Sequence, residues 1–208
     1  MILNDRQIKA LVAKHDMINP FIPNQVREVI DEDDEFGTSP RKIISKGLSS
    51  FGYDISLANL FKAYSSPYSV HQQYDKWDII VDPLNFDENV LETFSSDSET
   101  GYVVMPPHGY FLSHSNEYIK MPPNINALCL TKSSYARAGV LCNTTPIEAA
   151  WEGIITLEIA NLTDRPVKLY VNQGICQLQF FEGLIPDVSY ADRRGKYQHQ
   201  TGITLPRG

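Results

Sequence analysis

Apolar positions in the first sixteen residues fall at helical spacing. Ile8, Leu11 and Val12 share one face, Asn4 is placed to cap the start, and Gln7 follows at the spacing of a capping box. This predicts a helix that Pro20 and Pro23 stop. From Ser49 onward the period shortens to two. Short β-like runs follow one another at 53–57, 78–82, 102–105, 110–113, 127–131, 139–143, 154–160, 167–171 and 175–181, broken by Pro, Gly and Asn. Many short strands with turn signals predict a sandwich or barrel rather than alternating βαβ units. Closing them into a jelly roll would protect most sheet edges. Residues 87–94 read as a short helix on a crossover. The expected fold class is therefore mainly β, a β-barrel or jelly roll with an N-terminal helix and short crossover helices.

Two strands can be read for facing. In 154–159 the alternation puts Ile155, Leu157 and Ile159 on one face and Thr156 and Glu158 on the other. In 175–180, Cys176, Leu178 and Phe180 form the buried face, with Gln177 and Gln179 opposite. A carboxylate facing away from the core marks either a wet surface or a cleft, and the alternation leaves both open.

Composition narrows the class. The 208 residues carry 18 Lys+Arg against 25 Asp+Glu, a net charge of −7, with 42% hydrophobic and 21% charged residues, ordinary for a single globular domain. No internal repeat or low-complexity segment interrupts it. The acidic balance argues against nonspecific duplex binding, although a few placed cations can still hold a small anion. Apolar stretches are too short for a membrane span, and charges run through the N-terminus where a signal peptide needs an apolar centre. A cytoplasmic protein without membrane or nucleic-acid polymer partners is expected. Cys129, Cys142 and Cys176 are an odd set without CxxC spacing, unlike a disulfide framework or thiolate cage. The acidic run Asp31-Glu32-Asp33-Asp34-Glu35 reads as a solvated loop, with a carboxylate metal site as the alternative.

The densest chemistry is Lys132-Ser133-Ser134-Tyr135-Ala136-Arg137-Ala138-Gly139, directly after a strand. Two hydroxyls, two cations and the freed N–H groups of a strand-to-helix junction can cradle an anion. One helical turn would align Ser133 with Arg137; an exposed capped turn with a surface arginine is the plainer reading.

Context makes this segment specific. KSSYARAG, TPIEAAWEGIITLEIAN, NQGICQLQFFEG and SYADRRGKYQHQTG, in that order and at similar spacings, resemble the dCTP deaminases. SSFGYDI is similar to the glycine–aspartate strand motif these share with trimeric dUTPases. The matching blocks run from about Ser49 to the C-terminus. The organisation expected is one dUTPase-like domain, 1–208. It comprises a helical cap and acidic loop at 1–48, a β core at 49–190 and a segment at 191–208 that closes over a nucleotide.

What the resemblance implies is hydrolytic deamination of dCTP to dUTP and ammonia. Glu158 matches the general base, Ser133 the serine that helps hold the water, and Arg137 the arginine of the same polar network. The block Lys132, Ser133, Ser134, Tyr135, Ala136 and Arg137 matches nucleotide-binding positions, as do Gln177, Tyr190, Lys196 and Gln200. Thr156 and Leu157 lie in the strand whose backbone frames the base. Glu148 stands where dUTPases carry a catalytic aspartate, and reads as a 3′-hydroxyl contact or a surface glutamate. Trp151 reads as an aromatic bordering the sugar or as a core residue in a tight turn. Burial would raise the pKa of Glu158 and a nearby Arg137 would lower it.

None of His15, His71, His108, His114 and His199 sits in the H-x-E and P-C-x-x-C arrangement of zinc deaminases. Zinc is therefore not expected. Mg2+ is, held through the triphosphate rather than by protein side chains. The resemblance further implies a homotrimer with sites shared between subunits, and dTTP as a feedback inhibitor. Two alternatives stay open: a bifunctional enzyme releasing dUMP and pyrophosphate, and a non-catalytic nucleotide-binding regulator. Gly195-Lys196-Tyr197-Gln198-His199-Gln200, in place of an arginine-led glycine-rich closing motif, favours the deaminase side over a dUTPase.

Overall fold

Helix α1 (Asp5–His15) starts as the cap spacing predicts. The Asn4 side-chain oxygen accepts from the Gln7 N–H, and the Gln7 side chain accepts from the Asn4 N–H, both at 3.1 Å. It ends before either proline: Asp16 turns left-handed (φ 53°) and donates its N–H to the Val12 carbonyl. Ile8 is fully buried, and Leu11 and Val12 pack against the core. The structure, a computed structural model, describes residues 1–30, 40–64, 80–96, 101–143 and 145–208.

In chain order the described strands are β1 (Ile18–Asn19), β2 (Val26–Val29), β3 (Arg41–Ser49), β4 (Gly52–Ser56), β5 (Phe61–Tyr64), β6 (Leu91–Phe94) and β7 (Tyr102–Met105). They continue as β8 (Tyr110–Lys120), β9 (Ile125–Thr131), β10 (Val140–Asn143), β11 (Glu152–Asn161), β12 (Val167–Tyr170) and β13 (Gly174–Glu182), with a short helix α2 (Ser133–Arg137) between β9 and β10. One sheet runs β10-β11-β8-β5-β6, with β1 also on β8; a second runs β2-β3-β4-β13-β9; β7 and β12 form a small third ladder. Every ladder is antiparallel. The inner faces of the sheets meet in one core that includes Ile55, Leu157, Ile159, Leu178 and Phe180, and Cys129, Cys142 and Cys176 are buried with them. The expected mainly β class is what the chain adopts.

Several local expectations change. Residues 87–94 are not a helix: a single 3-10 turn (Glu88–Val90), capped by the Asp87 side chain, leads into β6. Phe94 stacks on Phe61 at 5.5 Å and meets Phe111 edge-on at 5.1 Å, so packing against β5 decides the conformation. Residues 80–82 form no strand, and Ile80 is 82% exposed; residues 78 and 79 lie outside the described set, as does the acidic run at 31–35. The segment before Ser49 is more than cap and loop, because β3 pairs with β4 and β2 with β3.

The facing of β11 and β13 follows the alternation, with Ile155, Leu157, Ile159, Cys176, Leu178 and Phe180 all buried. The β8–β11 register slips between Ile154 and Thr156. There the buried Ser115 hydroxyl accepts the Ile155 N–H at 3.0 Å and donates to the Glu117 carbonyl at 2.8 Å, so Ile155 keeps a partner where the ladder slips.

At the start of β13 the backbone of Gly174 runs so close to β3 that a Cβ there would lie 1.9 Å from the Ser45 carbonyl oxygen. Gly174→Ala is therefore expected to force the two strands apart and cost roughly 1–3 kcal/mol. Thermal unfolding of the variant checks this, with a Tm lowered by several degrees as the expected result.

Candidate active site

The outward face of β11 opens on a cavity of about 930 Å³, within the size range of small-molecule sites. Thr156 and Glu158 reach it from β11. Leu112 stands directly opposite Glu158 in the register, and Tyr110 opposite Ala160, so β8 supplies the adjoining surface. The Tyr64 and Tyr110 rings lie 6.0 Å apart in the same lining. Asn143 comes from the end of β10, opposite Glu158, and Glu148 and Trp151 from the segment between β10 and β11. A left-handed Ala150 (φ 63°) makes the tight turn that delivers Trp151.

The C-terminal segment closes the cavity from the other side and takes over where β10 stops pairing. β10 covers β11 from Glu158 to Asn161. Further back along β11, Ile154 donates its N–H to the Gln200 carbonyl at 2.8 Å, and Gln200 Nε2 returns to the Ile154 carbonyl at 2.7 Å. The Thr204 N–H donates to Thr156 Oγ1 at 3.1 Å, and that hydroxyl donates to the Gly202 carbonyl at 3.3 Å. Trp151 Nε1 donates to the Tyr197 carbonyl at 2.9 Å, and the Tyr197 N–H donates to the Tyr190 hydroxyl at 3.0 Å. Gly195 lies flat on the Tyr190 ring, with no room for a Cβ.

Electrostatically the cavity belongs to Glu158. Burial pushes its carboxyl up to about 7, and among the described residues no lysine or arginine lines the cavity to oppose this. Burial, with the Glu158 charge as a second cause, pushes the Tyr110 hydroxyl up to about 12. A carboxyl that exchanges protons near neutrality beside hydroxyl, amide and aromatic surfaces can act as both base and acid.

Of the residues singled out in the sequence, the fold brings Glu158, Thr156, Glu148, Tyr190 and Gln200 together around this cavity. Leu157 points into the core and offers only its backbone. Lys196 is exposed and donates to the Arg207 carbonyl at 3.0 Å. Trp151 satisfies both readings, being 7% exposed yet part of the cavity wall.

The α2 block sits apart from the cavity within one chain. Ser133, Ser134, Ala136 and Arg137 are exposed, and Arg137 reaches back to the Ser133 carbonyl at 3.4 Å, the one-turn alignment its spacing suggests. Tyr135 is a core residue whose hydroxyl accepts the Tyr170 N–H at 2.9 Å. Lys132 is ion-paired with the fully buried Asp54. Asp54 also accepts from Gln177 Nε2 at 3.3 Å and Gln25 Nε2 at 3.0 Å. The expected proximity of Arg137 to Glu158 is absent within the chain, so burial alone sets the direction of the Glu158 shift.

Tyr64, Tyr110, Asn143, Tyr197 and Thr204 belong to the cavity without having been singled out as site residues. Tyr197 was within reach, because it falls inside the GKYQHQ block. Tyr110 and Tyr64 carry no motif, and only the β5–β8–β11 pairing puts them beside Glu158.

The fold and this cavity together define a mainly β protein with a half-buried carboxyl, its pKa raised by burial, in a cavity of small-molecule size. The dCTP deaminase-like family matches residues 2–183, and the chain belongs to that family. A dCTP deaminase of Paraburkholderia phymatum is 44% identical over 207 residues, covering 99% of this chain and 98% of that protein. One from Burkholderia mallei is 43% identical with the same coverage. Among solved structures, the 2′-deoxycytidine 5′-triphosphate deaminase of Agrobacterium tumefaciens is similar in fold, with a TM-score of 0.55 and 18% identity. That likeness covers 88% of this chain but 48% of the solved one, so the chain spans about half its length. Among the described residues no helix is long and apolar enough to cross a membrane.

The raised Glu158 carboxyl has a consequence for stability. Between its unfolded value near 4.5 and its folded value near 7, the native state holds a proton that the unfolded chain has lost. Stability therefore falls as pH rises through that window. Glu158→Gln removes this penalty and is expected to stabilise the fold at pH 8.5, by on the order of 1–2 kcal/mol after allowing for partial exposure, and so to raise Tm there. The gain should disappear at pH 4.5, which paired thermal melts at the two pH values will check.

Proposed function

We propose that this chain deaminates dCTP by hydrolysis, giving dUTP and ammonia and so supplying dUTP for dUMP and dTTP synthesis, with Glu158 as the proton carrier. The observation that carries this reading is a carboxyl poised near 7 in a nucleotide-sized cavity of a dCTP deaminase-like chain. Ionised Glu158 takes a proton from water as its oxygen bonds to C4 of cytosine. The protonated carboxyl then delivers that proton to N3. The second proton of the added water passes to the exocyclic nitrogen, and ammonia leaves as the C4 carbonyl forms. A pKa near the working pH suits a group that must accept and return protons in one turnover.

Thr156 and the backbone at Leu157 border the base, while Trp151 and Glu148 border the sugar. Tyr190 stands just before the C-terminal segment, and Lys196 and Gln200 belong to that segment, at the phosphate side. Mg2+ would be held through the triphosphate rather than by protein side chains, and would offset part of the phosphate charge. Ser133 and Arg137 keep the roles of holding the water and completing its polar network, supplied by a neighbouring copy in a homotrimer. Two features support that assembly: α2 is exposed, and Leu128, Leu130 and Leu141 stand exposed on the outer faces of β9 and β10. dTTP, which shares the triphosphate and sugar, is expected to compete at the same cavity.

Incubation with dCTP and Mg2+, followed by ion-exchange separation, tests the reaction. Accumulating dUTP with ammonia is the expected result; direct release of dUMP and pyrophosphate would make the enzyme bifunctional; nucleotide binding without turnover would make it a regulator. Glu158→Gln should keep nucleotide binding and lose roughly 100-fold or more in kcat. In the wild type, kcat should rise with pH through about 7 as Glu158 ionises, and a flat profile from pH 5.5 to 8 would remove Glu158 as the base.

A further inference from the structure

The Glu158 cavity has two ends along β11. At one, Ile154 and Thr156 hold the C-terminal segment through Gln200 and Thr204. At the other, Tyr110 pairs in register with Ala160, two residues beyond Glu158. Glu158 and Ala160 lie on one face of β11, so Tyr110 stands diagonally across from Glu158, within reach of an aromatic side chain. Tyr110, Leu112 and Glu158 all line the cavity. The Tyr64 ring, carried by β5 and 6.0 Å from that of Tyr110, adds a second aromatic surface at this end.

The Tyr110 hydroxyl is a polar group that the fold leaves free. Among the described residues neither it nor the Glu158 carboxyl makes a hydrogen bond within the chain, and both shifts arise from burial and neighbouring charge alone. Tyr110 is 38% exposed, so a ligand in the cavity can reach it. Pushed up to about 12, the hydroxyl keeps its proton throughout the range in which Glu158 titrates. It therefore offers an O–H to an acceptor and lone pairs to a donor, whatever the charge of its neighbour.

We propose that Tyr110 reads the C4 edge of the pyrimidine, its hydroxyl accepting from the exocyclic amine of dCTP and donating to the C4 carbonyl of dUTP. The proposal rests on the deaminase reading, which sets the sugar and phosphates on the side of the C-terminal segment. N1, which carries the sugar, and C4 lie at opposite ends of a pyrimidine ring. A base that enters from the segment side therefore turns C4 toward Glu158 and Tyr110. The same hydroxyl can follow the reaction, because the group it must bind changes from donor to acceptor as amine becomes carbonyl. Tyr110 thus holds C4 in place while Glu158 moves protons, and its loss weakens substrate and product alike.

Calorimetric titrations of the full chain with Mg2+ test this, in a Glu158→Gln background that suspends turnover. The probes are dCTP, dUTP and the 2′-deoxyribonucleoside triphosphate of pyrimidin-2-one, which carries only hydrogen at C4. Tyr110→Phe is expected to weaken dCTP and dUTP by about three- to tenfold, the net worth of one hydrogen bond, and to leave the pyrimidin-2-one nucleotide unchanged. In the otherwise wild-type chain the same substitution should lower kcat/KM for dCTP by at least that factor. Tm should stay at the wild-type value, because the hydroxyl removed has no partner in the fold. Equal losses for all three nucleotides would overturn the proposal by making Tyr110 a packing residue of the wall. Unchanged affinity for all three, with kcat/KM unchanged, would overturn it by placing the hydroxyl outside the site. Hydroxyl-dependent binding of dCTP to a wild-type chain that never deaminates it would uphold the role of Tyr110 and remove the deaminase reading instead.

Discussion

β11 is committed on every side, and the site exists because of that. One face is sealed into the core by Ile155, Leu157 and Ile159. One edge is paired with β8, and the other is shared between β10 and the C-terminal segment. The remaining face is then free to carry a group that a core would reject. A carboxylate half-removed from water without a cation beside it is costly as an anion, so it holds its proton to higher pH. The position near 7 therefore follows from where the strand is fixed, and needs no special partner for Glu158.

The same strand decides how the C-terminal segment behaves. Thr156 alternates with Glu158 on the cavity face, so its hydroxyl can hold the Thr204 N–H while Glu158 faces the open space. The strap that closes the cavity is thus hydrogen-bonded to the strand that bears the carboxyl. Trp151, at the start of β11, holds the strap a second time through the Tyr197 carbonyl. Closure and carboxyl placement are consequences of one element, which keeps water access and proton chemistry in step.

Much of this was legible because it rests on short periods. Alternation assigned both faces of β11 and β13 correctly, and the Asn4–Gln7 spacing placed the start of α1. Three things were not legible. The run 87–94 has helix-compatible residues, but aromatic contacts with Phe61 and Phe111 make its end a strand. Tyr64 and Tyr110 reach the cavity only through pairing of distant strands, which no local pattern encodes. The KSSYAR block looks like part of the site in sequence, whereas in one chain its tyrosine packs in the core and its lysine pairs with buried Asp54.

That last displacement has a physical logic. A guanidinium placed against Glu158 within the chain would stabilise its charged form and draw its pKa down, against the burial that raises it. A triphosphate, by contrast, needs cations and would be repelled by Glu148 and Glu158 alone. Within one chain the two carboxylates stand in a cavity framed by β8 and β11, while Arg137 and its neighbours on α2 lie outside it.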